Sequence, residues 1–188
     1  MLFIVSGASR SGKSIAAQRL LEESNIPYLP IDSLVMGFTN GMPESGIHDE
    51  LWPDEIATRI WEFLKAVCEN MIASDTDYLL EGEAFLPEYV QELLKKYPGK
   101  VRSCFLGFSK TTLEDKISKV KKHPQIGNDW LNAQPDCFIA NHIKNMIGYS
   151  LRIENECKVN NIRYFDSSDN FIKTIDNVTE YLKKGLLK

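Results

Sequence analysis

Residues 7–14 read Gly7-Ala8-Ser9-Arg10-Ser11-Gly12-Lys13-Ser14, which places two glycines and a lysine–serine pair at the spacing G-x-x-x-x-G-K-[ST]. Each residue type has a chemical use. Gly7 and Gly12 permit tight turns and let the backbone come close to a phosphate group. Successive backbone N–H groups form an anion nest, reinforced by the positive end of a following helix. Lys13 can reach the β- and γ-phosphates, and the Ser14 hydroxyl can serve Mg2+. With Gly near 7% and Lys and Ser plus Thr at roughly 6% and 12%, chance supplies this match in roughly 1% of chains of this length. The context agrees, because an apolar run at 2–6 precedes the motif and Ile15, Ala16, Leu20 and Leu21 follow it at helical spacing. Residues 7–14 are therefore read as the binding loop for ATP with Mg2+.

Further chemistry is expected at strand ends, which line the ligand crevice of an open α/β sheet. Asp32 closes the short apolar segment PYLPID. There it can accept a proton from an attacking hydroxyl, bind the acceptor or orient magnesium-bound water, and its other use is to cap a short helix at 33–36. Glu81 ends YLLE, with Glu83 two residues on. Glu81 is a candidate for magnesium or substrate, and Glu83 for substrate. Arg59 flanks an apolar helical stripe and can reach a phosphate or carboxylate. His48 lies in the preceding loop-like stretch. Lys110, Lys116, Lys119, Lys121 and Lys122 cluster after the fourth strand and can form a cationic lid. Arg152, with its planar donor fork, is a second candidate for neutralising a transferring phosphoryl group. The segment Asp166-Ser167-Ser168-Asp169 is positioned to frame the adenine, so Ser167 and Ser168 join the nucleotide-binding set.

The elements that must hold these residues alternate. Strands are expected at 2–6, 28–31, 78–81, 101–108 and 162–166. Helices are expected at 14–24, at 54–74, from Pro87 to the Pro98-Gly99 stop, around Leu113, Ile117 and Val120, from Asp136 to about residue 160, and after a cap at Asp169. A capping box is expected at Thr111-Thr112-Leu113-Glu114. Residues 36–53 contain Gly37, Gly41, Pro43, Gly46 and Pro53 and read as one long loop, a length that is often functional. Residues 123–135 are also loop-like. Short strands alternating with helices imply an α/β, three-layer arrangement: a five-stranded, mostly parallel sheet with helices on both faces, in one domain over 1–188.

Composition narrows the class. The chain has 188 residues, 43% of them apolar, enough for a sizeable core. Its 22 basic and 26 acidic residues leave a net charge of −4, which disfavours a nucleic-acid partner. No run of about 18 apolar residues offers a membrane span, and the N-terminal apolar run is too short for a signal peptide. The four cysteines, Cys68, Cys104, Cys137 and Cys157, form no metal-type pairs. A reduced, cytoplasmic protein is the expectation, with no statement about oligomeric state.

The loop at 7–14, together with Asp32, Glu81-Gly82 and Tyr164-Phe165-Asp166-Ser167-Ser168, resembles the small P-loop kinases. These include nucleoside monophosphate kinase-like enzymes, shikimate and gluconate kinases, chloramphenicol phosphotransferase and zeta-toxin-type kinases. The resemblance covers nearly the whole chain in element order and is motif-specific at 7–14. It implies the P-loop NTPase fold and transfer of the γ-phosphoryl group of ATP to a small acceptor. It implies an acceptor region at 36–53 with the following helix, a lid at about 109–130, and adenine at the loop after the fifth strand. Lys13 and Ser14 would serve phosphate and magnesium, and Asp32 the acceptor. Residues 109–130 contain no arginine, which such lids often carry, and Arg152 is the expected substitute. Set against a small-molecule kinase are two alternatives, a nucleotide-binding switch and a slow ATPase.

Overall fold

Strand β1 (Leu2–Gly7) lies at the centre of the sheet and is buried along its whole length. The computed structural model describes residues 1–123 and 129–186. The described residues form β1, α1 (Lys13–Ser24), β2 (Tyr28–Pro30), α2 (Ile31–Gly41), a 3-10 turn (Pro43–Ser45), α3 (Pro53–Ala73), β3 (Tyr78–Gly82), α4 (Pro87–Lys96), β4 (Val101–Gly107), α5 (Leu113–Lys122), α6 (Asp136–Val159), β5 (Arg163–Asp166) and α7 (Phe171–Lys183). The five strands run in the order β2-β3-β1-β4-β5, and every neighbouring pair is parallel. Parallel strands need helical crossovers, which is why the apolar runs are short and separated by amphipathic helices.

Alternation along the strands builds two cores. Leu2, Ile4, Leu80 and Phe105 point to one face and pack with Ile31 and Val35 of α2, Ile60 and Leu64 of α3, Val90 of α4 and Ile153 of α6. Phe3, Val5, Leu79, Cys104 and Leu106 point to the other and pack with Ala16, Ala17 and Leu20 of α1 and with Ile175, Val178 and Leu182 of α7. A third, small core joins Val120 of α5 to Leu131 and to Ile139 and Ile143 of α6. The lid expected at about 109–130 is thus partly a helix packed on the first half of α6. Its residues 124–128, like that part of the loop expected at 123–135, lie outside the described residues.

The long loop expected at 36–53 is corrected. Helix α2 continues to Gly41, because Ile31 and Val35 are buried at i, i+4 spacing with Leu34 and Phe38 packed beside them. Gly37 and Gly41 stand on its open face, where an added Cβ would meet nothing within 4 Å. The irregular connection shrinks to residues 46–52. Strand β2 stops at Pro30, so Asp32 lies in the first turn of α2, whose N-cap is Pro30. The capping expectations shift by one residue each. Thr112 caps α5 by accepting from the Asp115 N–H, and Asn170 rather than Asp169 caps α7. Among the described residues no helix is long and apolar enough to cross a membrane. All four cysteines are free, and three are buried.

Candidate active site

The loop between β1 and α1 is held open by backbone constraints that only glycine meets. Gly7 has φ 125°, and a Cβ there would lie 1.9 Å from the Leu106 carbonyl oxygen of β4. The strand therefore turns into the loop directly against its neighbour. The Ala8 N–H donates to that same Leu106 oxygen. Gly12, also at positive φ, precedes α1 with no side-chain cap on its N–H groups, so these remain available to an anion. Ser11 is buried, and its hydroxyl has no hydrogen-bond partner among the described residues. A buried orphan of this kind inside a phosphate-type loop fits a ligand oxygen.

Lys13 lies under the loop, its ammonium donating to the Ala8 carbonyl at 2.8 Å and standing 3.6 Å from Glu83 Oε1. Strand β3 brings the acids to it. In the β1–β3 register Val5 pairs with Glu81 and Ser6 with Gly82, so the acidic end of β3 runs alongside the start of the loop. The Ser14 hydroxyl donates to Glu81 Oε1 at 3.0 Å. Asp32 enters from the side through Gly82. A Cβ on Gly82 would stand 2.8 Å from the Ile31 Cβ and 3.5 Å from Asp32 Oδ1, so the missing side chain is what lets α2 approach.

The proximity has electrostatic consequences. Burial pushes the carboxyls of Glu81 and Glu83 above the usual range, Lys13 pulls both down, and Asp32 pushes both up again. Glu81 and Glu83 thus share the ammonium of Lys13, with Asp32 close enough to act on both acids. Of the sequence candidates, Ser9, Lys13, Ser14, Asp32, Glu81 and Glu83 are brought to one place. Among the described residues no group of three His, Cys, Asp or Glu side chains can hold a metal unaided. Ser14 and Glu81 place two hard-oxygen donors side by side at the end of the loop.

Other candidates lie apart from this cluster. Arg59 donates to the Gly46 carbonyl at 2.5 Å, tying α3 to the connection after α2. Arg152 pairs with Asp54 at 3.0 Å and with Glu156 at 3.6 Å. Both arginines line a groove of about 650 Å³ between α3 and α6, together with Asp54, Thr58, Glu88 and Glu156. Among the described residues no hydrogen bond or ion pair joins Arg152 to the phosphate loop. Tyr149 links the two regions: among the described residues its buried hydroxyl lacks a partner, and the charges of both Glu83 and Arg152 act on it. His48 is half-buried in the connection before α3. The Ser167 hydroxyl donates to the Gly107 carbonyl, and the Ser168 hydroxyl accepts from the Lys110 N–H. Ser167 therefore fastens the turn after β5 to the end of β4, and Ser168 fastens it to the connection that leads into α5.

The lid lysines separate by environment. Lys121 pairs with Asp136 on the surface, and Lys122 is exposed. Lys119 donates to the Ser168 carbonyl at 2.7 Å, and Lys116 donates to the Arg10 carbonyl at 2.8 Å. Arg10 itself pairs with Asp129. Nothing in local sequence marks Asp129, and burial alone singles out Lys116 from its neighbours.

The loop after the central strand, the strand order and the two helical layers define a three-layer α/β P-loop fold. No protein-family model matches the chain, and no curated protein matches it. Solved structures do match across almost its full length. A gluconokinase from Sinorhizobium meliloti 1021 is 17% identical over 97% of this chain and 91% of its own, with a TM-score of 0.57. A shikimate kinase from Bacteroides thetaiotaomicron is 12% identical over 97% and 98%, with a TM-score of 0.57. A sugar kinase from Janibacter sp. HTCC2649 is 16% identical over 97% and 94%, with a TM-score of 0.55. The chain has the fold of the small P-loop kinases.

Proposed function

We propose that this protein is a kinase that transfers the γ-phosphoryl group of ATP to a hydroxyl or phosphate of a small acceptor. The observation that carries this reading is the meeting of Lys13 and Ser14 with Glu81, Glu83 and Asp32 at the carboxyl edge of the sheet. A phosphate cradle, a magnesium-type donor pair and a further carboxylate stand side by side. The kinases among the solved structures of this fold support the reaction class.

ATP with Mg2+ supplies the transferable phosphoryl group and a counter-charge for it. The chain's own residues do the rest. The loop N–H groups and Lys13 hold the polyphosphate, and Ser14 with Glu81 fixes the metal side. Asp32 orients an acceptor hydroxyl and takes its proton. Such catalysis is mostly positioning and charge neutralisation. The acceptor enters beside α2 and α3, towards the groove that Arg59 and Arg152 line. With a net charge of −4, a small acceptor is favoured over nucleic acid. Free cysteines and the use of ATP fit a cytoplasmic setting.

An ADP-release assay with pooled alcohols, sugars, sugar acids and nucleoside monophosphates tests the reading. Acceptor-stimulated release is expected. A rate indifferent to every pool would favour a slow ATPase, and no release despite ATP binding would favour a switch.

A further inference from the structure

The groove between α3 and α6 is acidic despite its arginines. Four carboxylates line it, those of Asp54, Glu55, Glu88 and Glu156, against the two guanidiniums of Arg59 and Arg152. Both arginines are already engaged within the protein. Arg152 pairs with Asp54 at 3.0 Å and with Glu156 at 3.6 Å, and Arg59 is tied to the Gly46 carbonyl. Burial holds the Glu156 carboxyl above the usual range, Arg152 pulls it down, and Glu88 and Asp54 push it up again. Three acids thus crowd one guanidinium. A carboxylate or phosphate on an acceptor would add a further negative charge to this lining, whereas an ammonium group would offset one.

The inner end of the groove carries an independent mark of a ligand. Tyr149 is only 8% exposed, and among the described residues its hydroxyl has no hydrogen-bond partner. A buried hydroxyl left unpaired is costly. The Arg152 guanidinium lies 5.0 Å over the Tyr149 ring. Charges on Glu83, Arg152, Asp54 and Glu156 all act on the hydroxyl. The last three line the groove, and Glu83 stands 3.6 Å from Lys13. The Tyr149 hydroxyl therefore stands between the groove and the phosphate loop, where a ligand hydroxyl would satisfy it. Thr58 and Asn155 add a hydroxyl and an amide to the lining, both suited to alcohol groups.

We propose that the acceptor is a polyhydroxylated amine, an amino sugar or aminocyclitol, whose ammonium group binds among Asp54, Glu88 and Glu156 and one of whose hydroxyls meets Tyr149. This rests on the kinase reading above and names its substrate class. The ammonium group stays protonated and is not the phosphorylated atom. A hydroxyl of the acceptor attacks the γ-phosphorus and passes its proton to Asp32. The new O–P bond forms as the bond from that phosphorus to the β–γ bridging oxygen breaks, and ADP leaves. Arg152 is a positioning residue here, holding Asp54 and Glu156 in place for the ammonium group.

Two matched series test the proposal: glucosamine, glucose and gluconate, and streptamine, scyllo-inositol and quinate. Each compound is titrated calorimetrically into the full chain with Mg–ADP, and supplied with Mg–ATP in an ADP-release assay. In at least one series the amine should bind about tenfold more tightly than its neutral counterpart, with the acid weakest, and should release ADP fastest. Added salt should shrink the preference. The double variant Glu88→Gln with Glu156→Gln keeps the shape of the groove and removes two charges. It should lose the amine preference and keep Mg–ATP affinity within about twofold. Tyr149→Phe should weaken binding of the amine and the neutral compound alike, by about threefold to tenfold, without lowering the thermal midpoint.

Tightest binding by gluconate or quinate, an equal response across each series (silence included), an amine preference unchanged in the double variant, or unchanged binding in Tyr149→Phe would overturn the proposal. ADP release led by an acid would do so while upholding the kinase reading. Amine binding that never stimulates ADP release would instead remove the kinase reading, and the acceptor assignment with it.

Discussion

The Ser14 hydroxyl donates a 3.0 Å hydrogen bond to Glu81, so the last residue of the phosphate loop and the acid near the end of β3 meet at one point. Glu81 is only 5% exposed, and burial raises its carboxyl above the usual range despite Lys13. The folded protein therefore holds the Glu81 proton more tightly than the unfolded chain does. Stability from this residue is full below 4.5 and is lost as pH rises through its raised folded-state value. Glu81→Gln should raise the thermal midpoint of the nucleotide-free protein at pH 7 and weaken magnesium dependence about tenfold. Thermal scans and a magnesium titration check both. A lowered midpoint with unchanged magnesium dependence would count against the placement.

Asp32→Asn should lower kcat by about 10²–10⁴-fold, the range for loss of a positioned base. ATP affinity should stay within about twofold, because the loop and Lys13 are untouched. Steady-state kinetics beside equilibrium binding separates the two effects. Unchanged turnover would remove Asp32 from proton transfer.

Much of this was legible in the sequence, for reasons that can be named. The loop at 7–14 is a local motif, so its residues needed no tertiary information. All five strands start and end within one residue of the expected places because Gly, Pro and charged residues bound the apolar runs. Helix α2 was hidden because Gly37 and Gly41 weigh against a helix. Burial of Ile31 and Val35 under Phe38 outweighs roughly 1 kcal/mol per exposed glycine. Glu83 carried a weak signal, since what joins it to Lys13 is the placement of β3 beside β1. The pairing of Arg152 with Asp54 crosses 98 residues and left no local trace.

Gly82→Ala should disturb the site through α2. The new methyl would stand 2.8 Å from the Ile31 Cβ, so the start of α2 must move or strain. The expected cost is about 1–3 kcal/mol of stability. A larger relative loss in kcat than in ATP affinity is also expected, because Asp32 moves and the loop does not. Chemical denaturation with parallel ATP titration checks it, and equal losses in both would argue against the coupling.

Arg152→Ala should change stability by less than about 1 kcal/mol, because its pair with Asp54 is exposed, at 43% and 39% for the two side chains. The acceptor KM should rise with ATP affinity unaltered, as expected for a residue in the α3–α6 groove. A weakened ATP complex would instead bring Arg152 to the phosphates.

Phosphorus NMR of the protein with ATP, Mg2+ and pooled small acceptors tests the central claim most directly. The kinase reading predicts a new phosphoester or anhydride resonance alongside ADP, absent for Lys13→Ala. ADP and inorganic phosphate alone across every pool, or ATP left intact by a protein that binds it, would contradict it.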